Sequence, residues 1–186
     1  MNRYVAFLRG MNLGGRRIKN EDLQRHFERL GLVDVACFRA SGNIVFGAGK
    51  AGEEELRVRI EAGLAEGLGY EVPVFLRSAA ELRAIAAHEP FDPDLVESSA
   101  GKLQVSILLR KPKAAVRREV LAMSTDADRL AIEGRELYWL PSGGMLDSPL
   151  DLDALDALLD LSTRRTKGTI DRIAAKIESR EQPPQL

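Results

Sequence analysis

Tyr4-Val5-Ala6-Phe7-Leu8 is an unbroken apolar run that stops at Arg9 and Gly10. It reads as a buried strand over Arg3–Leu8. Leu23, Phe27 and Leu30 then recur on one helical face, which predicts a helix from about Asn20 to Leu30. Asn20 is the expected N-cap, with Glu21 and Asp22 suiting the positive end of the helix dipole. Gly31 ends it. A second strand is expected over Val33–Arg39. Ser41-Gly42-Asn43 is a turn signal, and a third strand follows at Ile44–Phe46. Leu56, Val58, Ile60 and Leu64 mark the apolar positions of a helix over 53–67. A fourth strand, Glu71–Leu76, contains Pro73 and is therefore expected at a sheet edge. The order β-α-β-β-α-β is that of a ferredoxin-like sandwich, with both helices on one face of the sheet.

The second half repeats the order less completely. After a short helix over 78–88, the acidic, proline-bearing stretch 91–101 reads as a linker. Lys102–Arg110 alternates as a strand, and 114–123 reads as a helix. Arg129–Ile132 and Glu136–Leu140 flank a tight turn at Glu133-Gly134-Arg135. A helix with an acidic first turn is expected over 151–159. Residues 161–168 read as a lead-in to a last helix over 169–179, whose apolar face is Ile170, Ile173, Ala174 and Ile177. The predicted class is α+β, with two ferredoxin-like subdomains. The expected bounds are 1–90 for the first plait and its following helix, 91–101 for the linker, and 102–186 for the second. The shared element order suggests an internal duplication without a visible sequence repeat.

Composition sharpens this picture in three places. The net charge of −1 hides an uneven spread. Residues 1–50 hold nine basic and four acidic residues, a balance of +5, whereas 51–100 hold four and eleven, a balance of −7. A chain that mainly grips nucleic acid carries a net basic domain or stripe, so the overall charge speaks against that role. No apolar run approaches membrane-spanning length, and no signal peptide is visible behind the early arginines. A cytoplasmic protein is the expectation. Cys37 is the single cysteine. Its neighbours Val35, Ala36 and Phe38 suggest a buried, unreactive thiol.

Leu8-Arg9-Gly10-Met11-Asn12-Leu13-Gly14-Gly15 resembles the opening signature of the bacterial DUF1697 family. Ala40-Ser41-Gly42-Asn43-Ile44-Val45-Phe46 is similar to its second signature. Ser162-Thr163-Arg164 resembles its third, and Glu89-Pro90-Phe91 a further short pattern. The resemblance implies a pair of ferredoxin-like plaits and carries no established activity. The third motif commonly continues with Asn and Trp, where this chain has Arg165 and Thr166. The segment after Pro141, Ser142 to Ser148, departs from the family pattern too.

The topology makes a geometric prediction about function. Strands one and two run parallel with strand three between them, so their carboxyl ends share one edge, about 10 Å apart. The loop Arg9–Gly15 and the turn Ser41–Asn43 therefore converge. The expected ligand-binding set is Arg9, Gly10, Asn12, Gly14, Gly15, Ser41, Gly42 and Asn43, with Thr163 and Arg164 from the second half. Glycines let backbone approach a ligand, and an arginine fork suits phosphate or carboxylate. Each feature also has a structural reading: a chain reversal for the glycines, a hairpin for Ser41–Asn43, an ion pair for Arg9. The loop is not a P-loop, since no Gly-Lys-Ser/Thr follows it. Gly10, Gly14 and Gly15 lack dinucleotide-binding spacing. His26, His88 and Cys37 make a poor zinc set, so no metal or cofactor is expected. The sequence supports a binding module for a small anionic ligand. The alternatives are an enzyme acting on such a ligand, with no general base in view, or a nucleic-acid or protein-binding module using the basic first half.

Overall fold

The computed structural model describes residues 1–11, 18–38, 42–145 and 147–181. Asn12, Gly14, Gly15 and Ser41 of the expected site lie outside them, as does Arg39 at the expected end of the second strand. The chain divides into two compact units, Met1–Arg83 with Arg172–Leu186, and Ala84–Asp171.

The first unit contains β1 (Asn2–Leu8), α1 (Asn20–Arg29), β2 (Val33–Cys37), β3 (Asn43–Ala48), α2 (Glu53–Leu68) and β4 (Val74–Ser78). Its sheet is antiparallel in the order β2-β3-β1-β4. One face carries Tyr4, Ala6, Leu8, Ile44 and Phe46 into a core with Leu23 and Phe27 of α1 and Leu56, Ile60 and Leu64 of α2. Val5, Phe7, Val45 and Phe75, on the other face, are fully buried as well. Burial on both faces is why β1 reads as a continuous apolar run rather than an alternation.

Three local readings of this unit need correction. Asn20 is the first residue of α1, not its cap; Lys19 holds the cap position and makes no side-chain capping bond. Val58 is 51% exposed, because Leu56, Ile60 and Leu64 at four-residue spacing already fill the buried stripe of α2. β4 begins at Val74, one residue beyond Pro73. As an edge strand it has a backbone donor to satisfy, and the Val74 N–H reaches the Glu61 carboxylate on α2 at 3.0 Å.

Next come α3 (Ala79–Ala87), α4 (Pro93–Ser98), β5 (Gln104–Leu108), α5 (Ala114–Ala122), β6 (Asp128–Glu133), β7 (Glu136–Pro141), α6 (Leu152–Leu159), β8 (Ser162–Thr166) and α7 (Lys167–Glu181).

 The second sheet is antiparallel in the order β6-β7-β5-β8. Its core joins Leu108, Leu130, Leu137 and Trp139 to Val120 of α5 and to Leu155 and Leu159 of α6, the helix over Leu152–Leu159. Both units are therefore plaits of the same order, and the fold is α+β.

Two segments differ from the sequence reading. The stretch 91–101 contains α4, started by Asp92, whose carboxylate accepts from the Asp94 N–H at 2.9 Å, with Pro93 at the first helical position. Ser162–Thr166 is not a lead-in but β8, paired with β5 from Leu108↔Ser162 to Gln104↔Thr166. It carries no apolar residue, so no hydrophobic pattern announces it. Charged side chains on an edge strand also discourage pairing with other chains.

β8 completes the second plait, and the two units then match in bonding detail. Val5 stands opposite Arg77 on β4, and Val105 opposite Arg165 on β8. Leu8 N–H donates to the Gly42 carbonyl at 2.7 Å, and Leu108 N–H to the Arg135 carbonyl at 2.9 Å. Each last strand runs straight into a capped helix. Ser78 Oγ accepts from the Glu81 N–H while the Glu81 carboxylate accepts from the Ser78 N–H, a reciprocal capping box. Thr166 Oγ1 accepts from the Thr169 N–H at 3.3 Å.

Candidate ligand site

The edge predicted from topology exists in the first unit. β1 ends at Leu8, and Phe7 stands opposite Asn43, the first residue of β3. The Leu8 N–H to Gly42 carbonyl bond locks the turn before β3 against the end of β1. On the other side, Arg9 N–H donates to the Pro73 carbonyl at 3.1 Å. Arg9 is thus tied through its backbone to the segment before β4, next to Leu8, which is tied to the turn before β3, and it remains half-exposed.

Two glycines shape this edge. Gly10 has φ +76° and Gly42 φ +66°, left-handed conformations that cost a side-chain-bearing residue. At Gly42 space is short too, since a Cβ would lie 3.0 Å from Leu8 Cβ and 3.3 Å from the Leu8 carbonyl oxygen. Asn43 is 1% exposed, and its Nδ2 donates to the Phe38 carbonyl at 3.3 Å. The Phe38 N–H returns a bond to the Asn43 carbonyl at 2.8 Å. Asn43 therefore ties β3 to the segment leaving β2.

The start of α1 belongs to the same edge. Cys37, at the end of β2, donates its Sγ–H to the Asn20 carbonyl at 3.4 Å. Cys37 is half-buried rather than fully enclosed, because β2 is an edge strand. Burial, and then the nearby Glu21 carboxylate, push its thiol up to about 11. It is poorly disposed to nucleophilic chemistry. Glu21 and Asp22 fill the first turn of α1, while Lys19 precedes it.

Thr163 and Arg164 belong to the second unit, where both have partners in its sheet. Thr163 is buried, and its Oγ1 accepts from Arg165 Nη1 at 2.9 Å. Arg164 donates Nε–H to Ser106 Oγ at 3.1 Å and pairs with Asp156 at 3.4 Å. Its guanidinium lies 5.3 Å from the centre of the Trp139 ring. Arg165 is lowered to about 10 by burial and stays charged at neutral pH. Arg9, Gly10, Gly42 and Asn43 are thus brought together on one edge of the first unit.

A family model described as "protein of unknown function (DUF1697)" matches residues 1–138. The chain belongs to the DUF1697 family. A solved structure of the conserved bacterial protein SP0830 from Streptococcus pneumoniae is similar, with a TM-score of 0.69 at 18% identity. The likeness covers 96% of this chain and 99% of that one, and it is a likeness of fold. No curated protein matches the chain significantly. Among the described residues of this DUF1697 chain, no helix is long and apolar enough to cross a membrane. Nor do those residues include a group of three or more His, Cys, Asp or Glu able to hold a metal ion.

Sequence reasoning passed over several buried polar groups of this DUF1697 chain. Arg77 is 1% exposed and donates Nη1–H to the Leu76 carbonyl. Asp128 accepts from Trp139 Nε1–H and from Ser148 Oγ–H, both at 2.7 Å. The Arg–Ser/Thr pairs ahead of the two helix caps, Arg77-Ser78 and Arg165-Thr166, were the available signal for the arginines. Asp128 and Ser148 lie twenty residues apart in sequence and gave none.

Proposed function

We propose that this chain is a binding protein for a small anionic ligand, bearing phosphate or carboxylate, held at the carboxyl edge of the first sheet. The observation that carries the reading is the convergence of Arg9, the left-handed Gly10 and Gly42, and the start of α1 on that edge. A permanently charged guanidinium fork suits phosphate and carboxylate oxygens. Glycine backbone without Cβ allows close approach, and a helix start adds N–H donors. Asn12, Gly14, Gly15 and Ser41 are proposed as the remainder of the site.

The test is a thermal-shift screen against inorganic phosphate, nucleotides, sugar phosphates and small carboxylates. A specific binder raises the melting temperature with the logarithm of its concentration. Calorimetry on Arg9→Ala then follows for the strongest binder. Loss of roughly tenfold or more in affinity with the fold intact supports the reading. Unchanged affinity with a lowered melting temperature removes Arg9 from the site.

A further inference from the structure

The second unit contains a cavity of about 290 Å³ built around the Glu89-Pro90-Phe91 segment. That volume sits near the lower end for small-molecule sites. Pro90, Phe91, Pro93, Val96 and Leu103 make its walls largely apolar. The polar groups at its margin are His88, Glu89, Glu97 and Lys167. We propose that this cavity is a second ligand site, taking a small protonated amine with an apolar body.

Charge decides the ligand class. The Lys167 ammonium is already answered, donating to Asp171 Oδ1 and to the Ala86 carbonyl at 2.6 Å each. Glu89 and Glu97 are exposed, and among the described residues neither carboxylate enters a hydrogen bond or ion pair. The cavity and its margin therefore carry two uncompensated carboxylates. An anion would meet both at close range, whereas an ammonium group would be attracted to them. An apolar body would lie against the wall, of which the Phe91 ring is part. The His88 ring packs against Tyr138, with centres 4.9 Å apart and planes tilted by 52°. This site is carried by residues 88–103 and 167 of the second unit, so it stands independently of the anion edge on the first.

The experiment is an amide NMR titration of the full chain with phenethylammonium chloride, using phenylacetate as the matched anion. Saturable shifts are expected at residues 88–97, 103 and 167 with the amine, in roughly the millimolar range for so small a probe. Phenylacetate should bind more weakly. Glu89→Gln and Glu97→Gln should each weaken the amine about two- to fivefold, as exposed charges do. Both side chains are at the surface, so these variants keep the packing. Phe91→Ala should remove saturable binding. The proposal is overturned if phenylacetate binds as tightly as the amine, if the double glutamine variant binds unchanged, or if these amides show no saturable shift. Shifts confined to residues 8–11 and 42–43 would likewise overturn it while leaving the anion reading standing.

Discussion

Arg77 and Arg165 are counterparts. Each stands on the last strand of its plait opposite a valine, Val5 or Val105, and each donates Nη1–H to the carbonyl of the residue before it, at 2.6 Å and 2.7 Å. A guanidinium buried in a sheet is costly unless its donors are met. Arg77 is the more deeply buried of the two. Arg77→Ala should therefore lose roughly 2–5 kcal/mol, as large-to-small core changes do. Arg165→Ala should lose about 1–2 kcal/mol. Arg77→Met, which restores bulk without the hydrogen bonds, should fall between wild type and Arg77→Ala. Urea unfolding followed by circular dichroism checks the order, and equal losses at Arg77 and Arg165 would contradict it.

Gly42 and Gly31 separate strain from crowding. Both have positive φ, +66° and +74°. A Cβ at Gly31 meets nothing within 4 Å, whereas at Gly42 it meets Leu8 and Met11. Gly31→Ala should cost about 1–2 kcal/mol from backbone conformation alone. Gly42→Ala should cost more by roughly 1 kcal/mol or above, because Leu8 must shift within a packed core. Similar losses for the two variants would mean that the edge yields freely.

The thiol of Cys37 is raised to about 11 from an ordinary value of 9.0, so the folded chain holds its proton more tightly than the unfolded chain. The sign follows from linkage: the stabilisation is present below pH 9 and is lost as pH rises through 11. Labelling of native protein by a thiol reagent should be slow at pH 8 and accelerate most steeply near pH 11. In denaturant the steep rise should move to near pH 9. Fast stoichiometric labelling of the native protein at pH 8 would show an activated cysteine instead.

Asp128 holds two partners on one oxygen. Oδ1 accepts from Trp139 and Ser148, while Oδ2 is buried with no hydrogen-bond partner among the described residues. Asp128→Asn keeps the accepting oxygen and should cost less than Asp128→Ala, which strands the indole N–H in the core at roughly 1–3 kcal/mol. Trp139 is the single tryptophan, so its fluorescence during denaturation reports the second unit directly. Equal costs for the two variants would show that the acceptor at Oδ1 contributes nothing.

The sequence by itself determined the first plait almost whole. The apolar run before Arg9, the four-residue spacing of Leu23 and Phe27, and the glycine at 31 are local signals, and backbone geometry alone translates them into elements. The convergence of Arg9 and Gly42 was also legible, because it follows from strand order rather than from side-chain detail. Only the tertiary structure decided the rest. Ser162–Thr166 is a strand because β5 offers it an open edge, and hydrogen-bonding partners leave no mark on a polar sequence. Val58 faces solvent although it is apolar, because Leu56, Ile60 and Leu64 already take the buried stripe of α2. Asp128 meets Trp139 across the β6–β7 pairing and Ser148 after the chain has turned back, distances that exist only once the sheet is built. Local periodicity encodes which element forms; long-range pairing decides which polar groups meet, and that was available only in three dimensions.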